Sequence, residues 1–407
     1  MPRHSLCLIA LLLVAADWKH FLGPTRDGHS PETGLAREWP AGGPAKLWEA
    51  EIGAGFSGPV VSGGKVLLFH RLGDEEVLQC RNAADGKPLW KYAAATAYVD
   101  DFGFDEGPRA TPSVVDGRVY TLGAEGRLSC ISLEDGKKVW ERHLAVDYPF
   151  NKGYFGVAGS PLVDAQRVYL NIGSKGAGVV AFDRATGKEI WKVTDDEAGY
   201  SSPVLAKLDG ADRLIFFTRE GLLVLDPGTG KVLHQRRFRA RIRESVNAAT
   251  PLVTNDQIFL SASYNTGALL LDWHKGEPRD IWHNDSSLSC HYNTPVKIGE
   301  QLYGIHGRQE SGAGLRCIDL ASGQVRWSKP GFGCAALIAA DRLLIAVTEG
   351  GDLVLLDPTP DGYREKCRFA ALGQRKPRPV AAPPALADGR FFVRDGAHLS
   401  AWELKKK

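Results

Sequence analysis

A block of eleven residues recurs along this chain of 407 residues and constrains its fold more than any other feature. Each copy carries a glycine four positions before its closing residue, which is usually tryptophan. The copies are CRNAADGKPLW (80–90), CISLEDGKKVW (130–140), AFDRATGKEIW (181–191), VLDPGTGKVLH (224–234) and CIDLASGQVRW (317–327), and a looser copy ends at Trp282. Apolar residues on both sides of the glycine predict two strands joined by a tight turn, because glycine tolerates positive φ.

A second signature precedes each block by about 30 residues: a small residue, then proline, then an apolar strand. Its sites recur every 40–53 residues, at Pro59, Pro112, Pro161, Pro203, Pro251, Pro295, Ala335 (where proline is replaced) and Pro383. Proline suits the first residue of a strand, where no ladder donor is needed. Each unit therefore has room for four short strands, A to D, which is typical of a β-propeller blade.

Eight units predict an all-β fold, an eight-bladed β-propeller of four-stranded antiparallel blades. The last unit, 382–404, supplies only strands A to C. Its fourth strand is available at 46–52, where Trp48 takes the position of the closing tryptophan. Pairing the two ends of the chain would close the ring and leave no long exposed edge. Seven blades remain the alternative, if the weak seventh unit is an insertion.

Composition narrows the function classes. Hydrophobic residues make up 43% of the chain, enough for a large core, and the net charge of +2 argues against nucleic acid as a partner. Residues 1–16 join a short basic start to an apolar run and a small-residue cleavage site, which predicts a signal peptide. We expect an extended N-terminal segment at 17–44, one propeller domain at 45–404 and a basic tail at 405–407. The mature protein is predicted to be a periplasmic or secreted monomer with no integral membrane segment.

The copy at 181–191 resembles the tryptophan-docking motif of pyrroloquinoline-quinone (PQQ)-like propellers, with Asp183, Thr186, Gly187 and Trp191 in the motif's positions. The other copies match partially, and the resemblance covers nearly the whole mature chain. That superfamily includes quinoprotein alcohol dehydrogenases and the BamB-type scaffold of outer-membrane barrel assembly. The opening residues 18–35 are also similar to secreted bacterial PQQ-like repeat proteins.

The resemblance implies that the motif is structural, because the tryptophan of one blade stacks over a peptide of the next. This role is expected for Trp90, Trp140, Trp191, Trp282 and Trp327. Cys80, Cys130 and Cys317 occupy a position of the repeat that alanine or valine fills in other copies. This predicts that they are buried and act as small hydrophobic side chains. Cys290 and Cys334 precede neighbouring inner strands, so a disulfide between them is left open.

Function is predicted at the mouth of the central channel, on the face that carries the long D–A and B–C loops, since long loops on a rigid scaffold carry function. Arginine supplies forked donors for carboxylates, and aromatic faces suit sugars or other rings. The candidate ligand-binding residues are Arg109, Asp101, Glu106, Tyr200, Asn247, His291, Tyr292, Asn293, Arg308 and Glu310.

No catalytic residue and no metal site is predicted. The histidines lack zinc spacing, and no nucleophile elbow or phosphate loop occurs in the sequence. Asp100, Asp101 and Asp105 could ligate Ca²⁺, but a solvated acidic loop is the preferred interpretation.

The preferred function is a non-catalytic binding or scaffold protein that takes a small molecule, a glycan or a protein at the propeller face. The alternative is a carbohydrate-active lyase or hydrolase using His291, Tyr292 and Arg109. A PQQ-dependent dehydrogenase is the least favoured, because the chain lacks the vicinal cysteine pair of that family. We therefore expect neither PQQ nor Ca²⁺ as a cofactor.

Overall fold

The computed structural model describes residues 17–242, 245–372 and 382–406. The predicted signal peptide, 1–16, and Lys407 of the predicted tail lie outside the described residues. The chain forms eight four-stranded antiparallel blades in a ring, which confirms the predicted propeller.

Within each blade the strands follow one another in the order A, B, C and D, from the centre outwards. Strands A are Val60–Ser62, Ser113–Val115, Leu162–Val163, Val204–Leu208, Leu252–Thr254, Val296–Ile298, Ala335–Ala340 and Ala385–Ala387. Strands B are Lys65–Leu72, Arg118–Leu122, Arg167–Ser174, Ala211–Phe217, Gln257–Ala262, Gln301–His306, Leu343–Thr348 and Arg390–Arg394.

The outer half of each blade carries the eleven-residue block. Strands C are Glu75–Asn82, Arg127–Ser132, Ala177–Asp183, Gly221–Leu225, Gly267–His274, Gly314–Asp319, Asp352–Leu356 and His398–Glu403. Strands D of blades 1 to 7 are Pro88–Ala95, Lys138–His143, Glu189–Val193, Val232–Arg237, Glu277–Asn284, Val325–Lys329 and Glu365–Ala370. A short helix (Leu144–Asp147), a 3-10 turn (Gln309–Ser311) and a two-residue strand (His29–Ser30) complete the fold.

The ring closes as the sequence predicts. Strand D of blade 8 is Lys46–Glu51, which pairs antiparallel with His398–Glu403 and sets Trp48 opposite Ala401. The weak seventh unit is a complete blade, from Ala335–Ala340 to Glu365–Ala370, so the seven-blade alternative is wrong.

Tryptophans join neighbouring blades as expected. The indole nitrogen of each docking tryptophan donates to a backbone carbonyl of the following blade, over 2.8–3.2 Å. The donors are Trp48, Trp90, Trp140, Trp191, Trp282 and Trp327. The block glycine of the next blade lies against the indole ring, so it serves the ring's close approach as well as the turn. At Gly136, for example, an added Cβ would lie 2.6 Å from Trp90 Cε3.

Hydroxyl groups provide a second link, between neighbouring strands A. At four blade junctions, the hydroxyl of the small residue before the strand-opening proline accepts a hydrogen bond from the backbone N–H of its counterpart one blade earlier. These bonds measure 2.9–3.0 Å and run from Gly58 to Thr111, Thr111 to Ser160, Ser160 to Ser202 and Thr250 to Thr294. The small-residue-then-proline signature thus ties the inner strands to one another.

The N-terminal segment lies across the centre of the ring, because it contacts strands A of several blades. Trp18 exchanges two backbone hydrogen bonds with Val61 of blade 1. His29–Ser30 pairs in parallel with the end of strand A in blade 7. Between them, the buried guanidinium of Arg26 donates to the carbonyls of Ser160 and Pro161 in blade 3, at 3.2 and 3.1 Å.

This segment covers the face that carries the tight A–B and C–D turns, here called the short-turn face. Asp17 accepts a hydrogen bond from the A–B turn of blade 1 at Gly63, over 3.0 Å. The N–H of Leu35 donates to Asp341 in the A–B turn of blade 7, over 2.9 Å. The opposite face, which carries the D–A and B–C connections, is here called the long-loop face.

The cysteines are free thiols in the described structure. Cys80, Cys130 and Cys317 are fully buried, as their phase in the repeat predicts. Cys290 and Cys334 are buried as well and form no disulfide, which settles the pairing that the sequence left open.

Candidate functional site

Five aromatic rings form a contiguous cluster on the long-loop face, here called the aromatic patch: Phe102, Phe104, Tyr154, Phe155 and Tyr200. Neighbouring ring centroids lie 5.6–6.4 Å apart. The rings come from the D–A loops before blades 2, 3 and 4, so three consecutive blades build one surface.

The outer rings of the patch face solvent. The exposed fractions of Phe102 and Phe104 are 54% and 55%. Among the residues that the structure describes, no other Phe, Tyr or Trp is more than half exposed. Solvent exposure of adjacent large apolar rings is unfavourable in a free protein, which makes this patch the candidate site.

Arg109 fixes the inner side of the patch. Its guanidinium lies between the rings of Phe56 and Phe155, 5.2 and 5.1 Å from their centroids. It also donates to the carbonyl of Phe155 over 3.1 Å and to the carboxylate of Asp100 over 3.0 Å. Arg109 is thus a positioning residue that holds two loops together.

The acidic loop 100–105 is solvated only in part: Asp101 is exposed, as the sequence-based interpretation expects, whereas Asp100 and Asp105 differ from it. The side chains of Asp100 and Asp105 are buried. Burial by itself raises the pKa of Asp100, but backbone N–H donors at Asp105 and Phe102, together with Arg109, outweigh it and lower that pKa below its ordinary value. The carboxylate folds the loop, which turns Phe102 and Phe104 outwards.

The predicted residues Asp101, Glu106 and Tyr200 border the same patch. Asp101 pairs with Lys152 at 2.7 Å, and Glu106 lies 3.7 Å from Arg71. The Tyr200 hydroxyl accepts hydrogen bonds from the backbone N–H groups of Tyr154 and Phe155, at 2.9 and 3.2 Å. Burial raises the pKa of Tyr200, so the phenol stays neutral as a loop anchor.

Asn247 has a backbone role. Its buried side-chain amide donates to the carbonyls of Thr218 and Phe238, at 2.8 and 3.1 Å. The backbone carbonyl of Asn247 accepts a hydrogen bond from the N–H of Tyr200, over 2.9 Å. These bonds tie blade 5 to blade 4 and leave the amide facing protein rather than solvent.

The remaining predicted residues form a second cluster, in blades 5 and 6. His291 Nε2 lies 3.1 Å from the Tyr264 hydroxyl, and the Arg308 guanidinium lies 4.3 Å from the centre of the Tyr264 ring. Glu310 holds Arg308 through a bond of 3.1 Å. Burial, helped by Arg308, lowers the pKa of His291 to about 4, so the imidazole is neutral at pH 7.

Tyr292 and Asn293 line the inner part of this second cluster. The rings of His291 and Tyr292 are 5.3 Å apart. Burial raises the pKa of Tyr292 far above its ordinary value. The phenol therefore stays protonated and cannot serve as a base at neutral pH.

Arg109, His291 and Tyr292, which the carbohydrate-active alternative uses together, come from different loops. Arg109 lies in the loop before blade 2, whereas His291 and Tyr292 lie in the loop before blade 6. Within the described ranges, Arg109 bonds to Asp100 and Phe155, and His291 lies beside Tyr264.

Sequence reasoning missed most of the aromatic patch. It identified Arg109, Asp101, Glu106 and Tyr200, which are polar, and passed over Phe104, Tyr154 and Phe155. The sequence did contain a signal. Two consecutive long loops each carry closely spaced aromatic residues, Phe102-Gly-Phe104 in one and Tyr154-Phe155 in the next. Only the ring arrangement of the blades brings those stretches into contact.

Several solved structures share the fold. BamB from Moraxella catarrhalis has a TM-score of 0.64 at 13% identity, over 89% of this chain and 98% of that one. Quinohemoprotein alcohol dehydrogenase from Comamonas testosteroni has a TM-score of 0.67 at 14% identity, over 96% of this chain and 81% of that one. The designed protein Ika8 gives 0.59 at 11% identity, over 88% and 98% of the two chains.

The described residues were compared with the needs of a metal centre, which takes clustered oxygen, nitrogen or sulfur ligands. In the described part of the chain, no group of three or more His, Cys, Asp or Glu side chains could hold a metal ion.

The sequence comparisons place the chain in a family. The model for the outer membrane protein assembly factor BamB, built on PQQ-like repeats, matches residues 40–152 and 74–329. BamB from Kangiella koreensis is 38% identical over 107 residues, which is 25% of this chain. The match spans about a quarter of that relative's length (24%). No helix in the described residues is long and apolar enough to cross a membrane. With most of its blades matched by the family model, the chain belongs to the BamB family of PQQ-like β-propellers.

Proposed function

We propose that this protein is an extracytoplasmic scaffold that binds another protein through the aromatic patch. One observation carries the proposal: the two most exposed phenylalanine rings of the described chain lie side by side on the long-loop face, against half-buried rings that hold them. Aromatic side chains dominate the binding energy of protein interfaces. The family membership supports the same role, since its name describes an assembly factor.

Arg109, Asp101, Glu106 and Tyr200 serve this function by shaping the patch. Arg109 and Tyr200 anchor the loop that carries Tyr154 and Phe155. Asp101 and Glu106 stand at the rim through pairs with Lys152 and Arg71. A surface that is already held in place before binding loses little conformational entropy when a partner docks.

The test is a double substitution, Phe102→Ser with Phe104→Ser, in the full mature chain. The matched control is Val146→Ser, because Val146 is 82% exposed in the short helix Leu144–Asp147 but lies outside the aromatic patch. Both proteins are immobilised and exposed to an envelope extract of the source organism. We expect a protein partner to be retained by the wild type and the control and lost by the double variant. Equal retention by all three would refute the proposal.

The location of the protein is part of the proposal. A signal peptide at 1–16 would be removed after Ala16, so that the mature chain begins at Asp17. Cell fractionation and the intact mass of the exported protein test this. An uncleaved chain in the cytoplasm would contradict it.

We further propose that binding needs neither PQQ nor Ca²⁺. Thermal unfolding with both added at saturation is expected to match that of the protein alone. A ligand present at about 100 times its Kd stabilises the native state by about 2.7 kcal/mol, so real binding would raise the Tm visibly.

A further inference from the structure

We infer that the partner segment that docks at the aromatic patch combines apolar side chains with lysine or arginine. The inference rests on the proposed function, because it names the chemistry of the partner at the same surface. It follows from how the charges around the patch are exposed.

Ion pairs surround the aromatic patch, and most of their carboxylates are far more exposed to solvent than the arginines that they pair with. The side chains of Arg71, Arg109 and Arg219 are only 10–13% exposed. The carboxylates that face solvent beside them are 49–97% exposed, and they are Asp74, Asp101, Glu106 and Glu197. Lys152, at 44%, is the exposed cation of this rim.

The arginines are covered because they hold the loops from below. Arg71 donates to the carbonyls of Gly73 and Tyr98, at 2.7 and 2.5 Å. Arg219 donates to the carbonyl of Ser245 over 3.2 Å, and its guanidinium lies 5.8 Å from the Tyr154 ring centre. A partner approaching this face therefore meets carboxylates first, with an apolar centre between them.

Such a surface favours a cationic segment. Complementary charge at the rim of an interface steers association and selects partners, while apolar contacts at the centre supply affinity. An anionic membrane surface would be repelled by the same carboxylates, since its headgroups carry like charge.

Ring geometry and charge together suit a peptide. Neighbouring rings in the patch are tilted by 36–62° to one another, so they share no flat plane. The apolar side chains of a peptide can contact several tilted rings at once, while its basic side chains meet the exposed carboxylates. The occupant is therefore a peptide segment with apolar and basic side chains.

The first experiment compares two synthetic peptides on the full mature chain. Both alternate leucine and phenylalanine with a charged residue, which is lysine in one and glutamate in the other. We expect the lysine peptide to bind at least about tenfold more tightly at low salt, with a difference that shrinks as salt screens the charges. Equal binding, or tighter binding of the glutamate peptide, would overturn the inference.

Charge reversal provides the matched pair of variants. Asp101→Lys with Glu197→Lys is expected to invert the peptide preference. Asp85→Lys with Asp361→Lys is the control, because these carboxylates are also exposed and ion-paired but lie in C–D turns on the short-turn face. The control is expected to bind like the wild type, and inversion by the control alone would overturn the assignment to this rim.

The natural partner decides between the possible occupants. A photo-reactive phenylalanine analogue placed at Phe104 is cross-linked in envelope extract, and the attached segment is sequenced. A segment with apolar and basic residues supports the inference; an acidic segment, a glycan, a lipid or a second copy of this chain overturns it. If the Phe102→Ser/Phe104→Ser variant keeps its partner, the proposed function itself fails, whereas loss of that partner with an acidic cross-linked segment defeats only the inference.

Discussion

The two faces of the propeller are made by the same strands and yet have opposite characters. On the short-turn face, tight turns and the N-terminal segment cover the centre of the ring with backbone hydrogen bonds and a buried tryptophan, Trp18. On the long-loop face, Phe102 and Phe104 remain exposed, and Arg109 packs against the Phe155 ring beside them. The comparison teaches that one face of this scaffold is closed by backbone pairing, while the other leaves apolar rings open to solvent, which is where we propose that a partner binds.

The difference follows from loop length. A tight turn between antiparallel strands has few allowed conformations, so its sequence is fixed by glycine and aspartate. A long loop must satisfy its backbone with side chains instead, as Asp100 and Arg109 do here. That freedom allows apolar rings such as Phe102 and Phe104 to be held in positions that are partly exposed to solvent.

The largest effect is expected on the short-turn face, for Trp18→Ala. Trp18 belongs to the N-terminal segment and is 1% exposed. Its truncation therefore leaves a cavity. The expected loss is about 3–5 kcal/mol of unfolding free energy, measured by urea denaturation. Lys19→Ala, next to it but solvent-exposed at its tip, is expected to change little. An unchanged midpoint for Trp18→Ala would mean that the N-terminal segment does not stabilise the ring.

Two glycines sharpen the comparison within the repeat. Gly117 and Gly136 have φ values of +72° and +73°, so alanine is strained to a similar degree at both, by about 1–2 kcal/mol. A Cβ at Gly117 meets open space, whereas one at Gly136 meets the Trp90 ring. Gly136→Ala is therefore expected to cost about 1–3 kcal/mol more than Gly117→Ala in denaturant unfolding. Equal losses would show that the tryptophan ring does not constrain this turn.

Acid is expected to lower the free energy of unfolding through groups on both faces. Burial, with help from nearby arginines, lowers the pKa of His20 and His70 to about 3 and that of His291 to about 4. The unfolded chain binds these protons near pH 6.5, so the free energy of unfolding falls as the pH drops from about 6.5 to 4. Burial raises the pKa of Glu76 to about 7, which opposes part of this slope.

The histidine contribution can be isolated by His20→Gln on the short-turn face and His291→Gln on the long-loop face. Each variant is expected to lose stability less steeply in acid than the wild type, as measured by unfolding midpoints between pH 4 and pH 7. A slope that neither substitution changes would assign the acid sensitivity to other groups.

The smallest stability effect is expected on the long-loop face. Phe102→Ser with Phe104→Ser removes rings that are mostly exposed, so the unfolding free energy should stay within about 1 kcal/mol of the wild type while partner binding is lost. This combination is the clearest signature of a recognition surface. A loss as large as that of Trp18→Ala would instead make the aromatic patch part of the core.

The sequence predicted much of the fold because each blade repeats the same local rules. The block glycines, the docking tryptophans and the strand-opening prolines specified eight blades, and Trp48 correctly indicated the closing strand. The candidate site was predicted only in part. Polar residues in long loops were predicted to bind a ligand. However, the Asn247 side chain bonds to backbone carbonyls, and Asp100 is buried.

The sequence by itself determined the ring, since periodic turns and apolar strands depend on neighbours in the chain. Tertiary structure alone decided which residues meet across blades. It brought Phe102, Phe155 and Tyr200 together from three loops and laid the N-terminal segment over the channel. The physical reason is that contacts between distant loops depend on where the closed ring places them. The repeated motif of the strands does not encode these contacts.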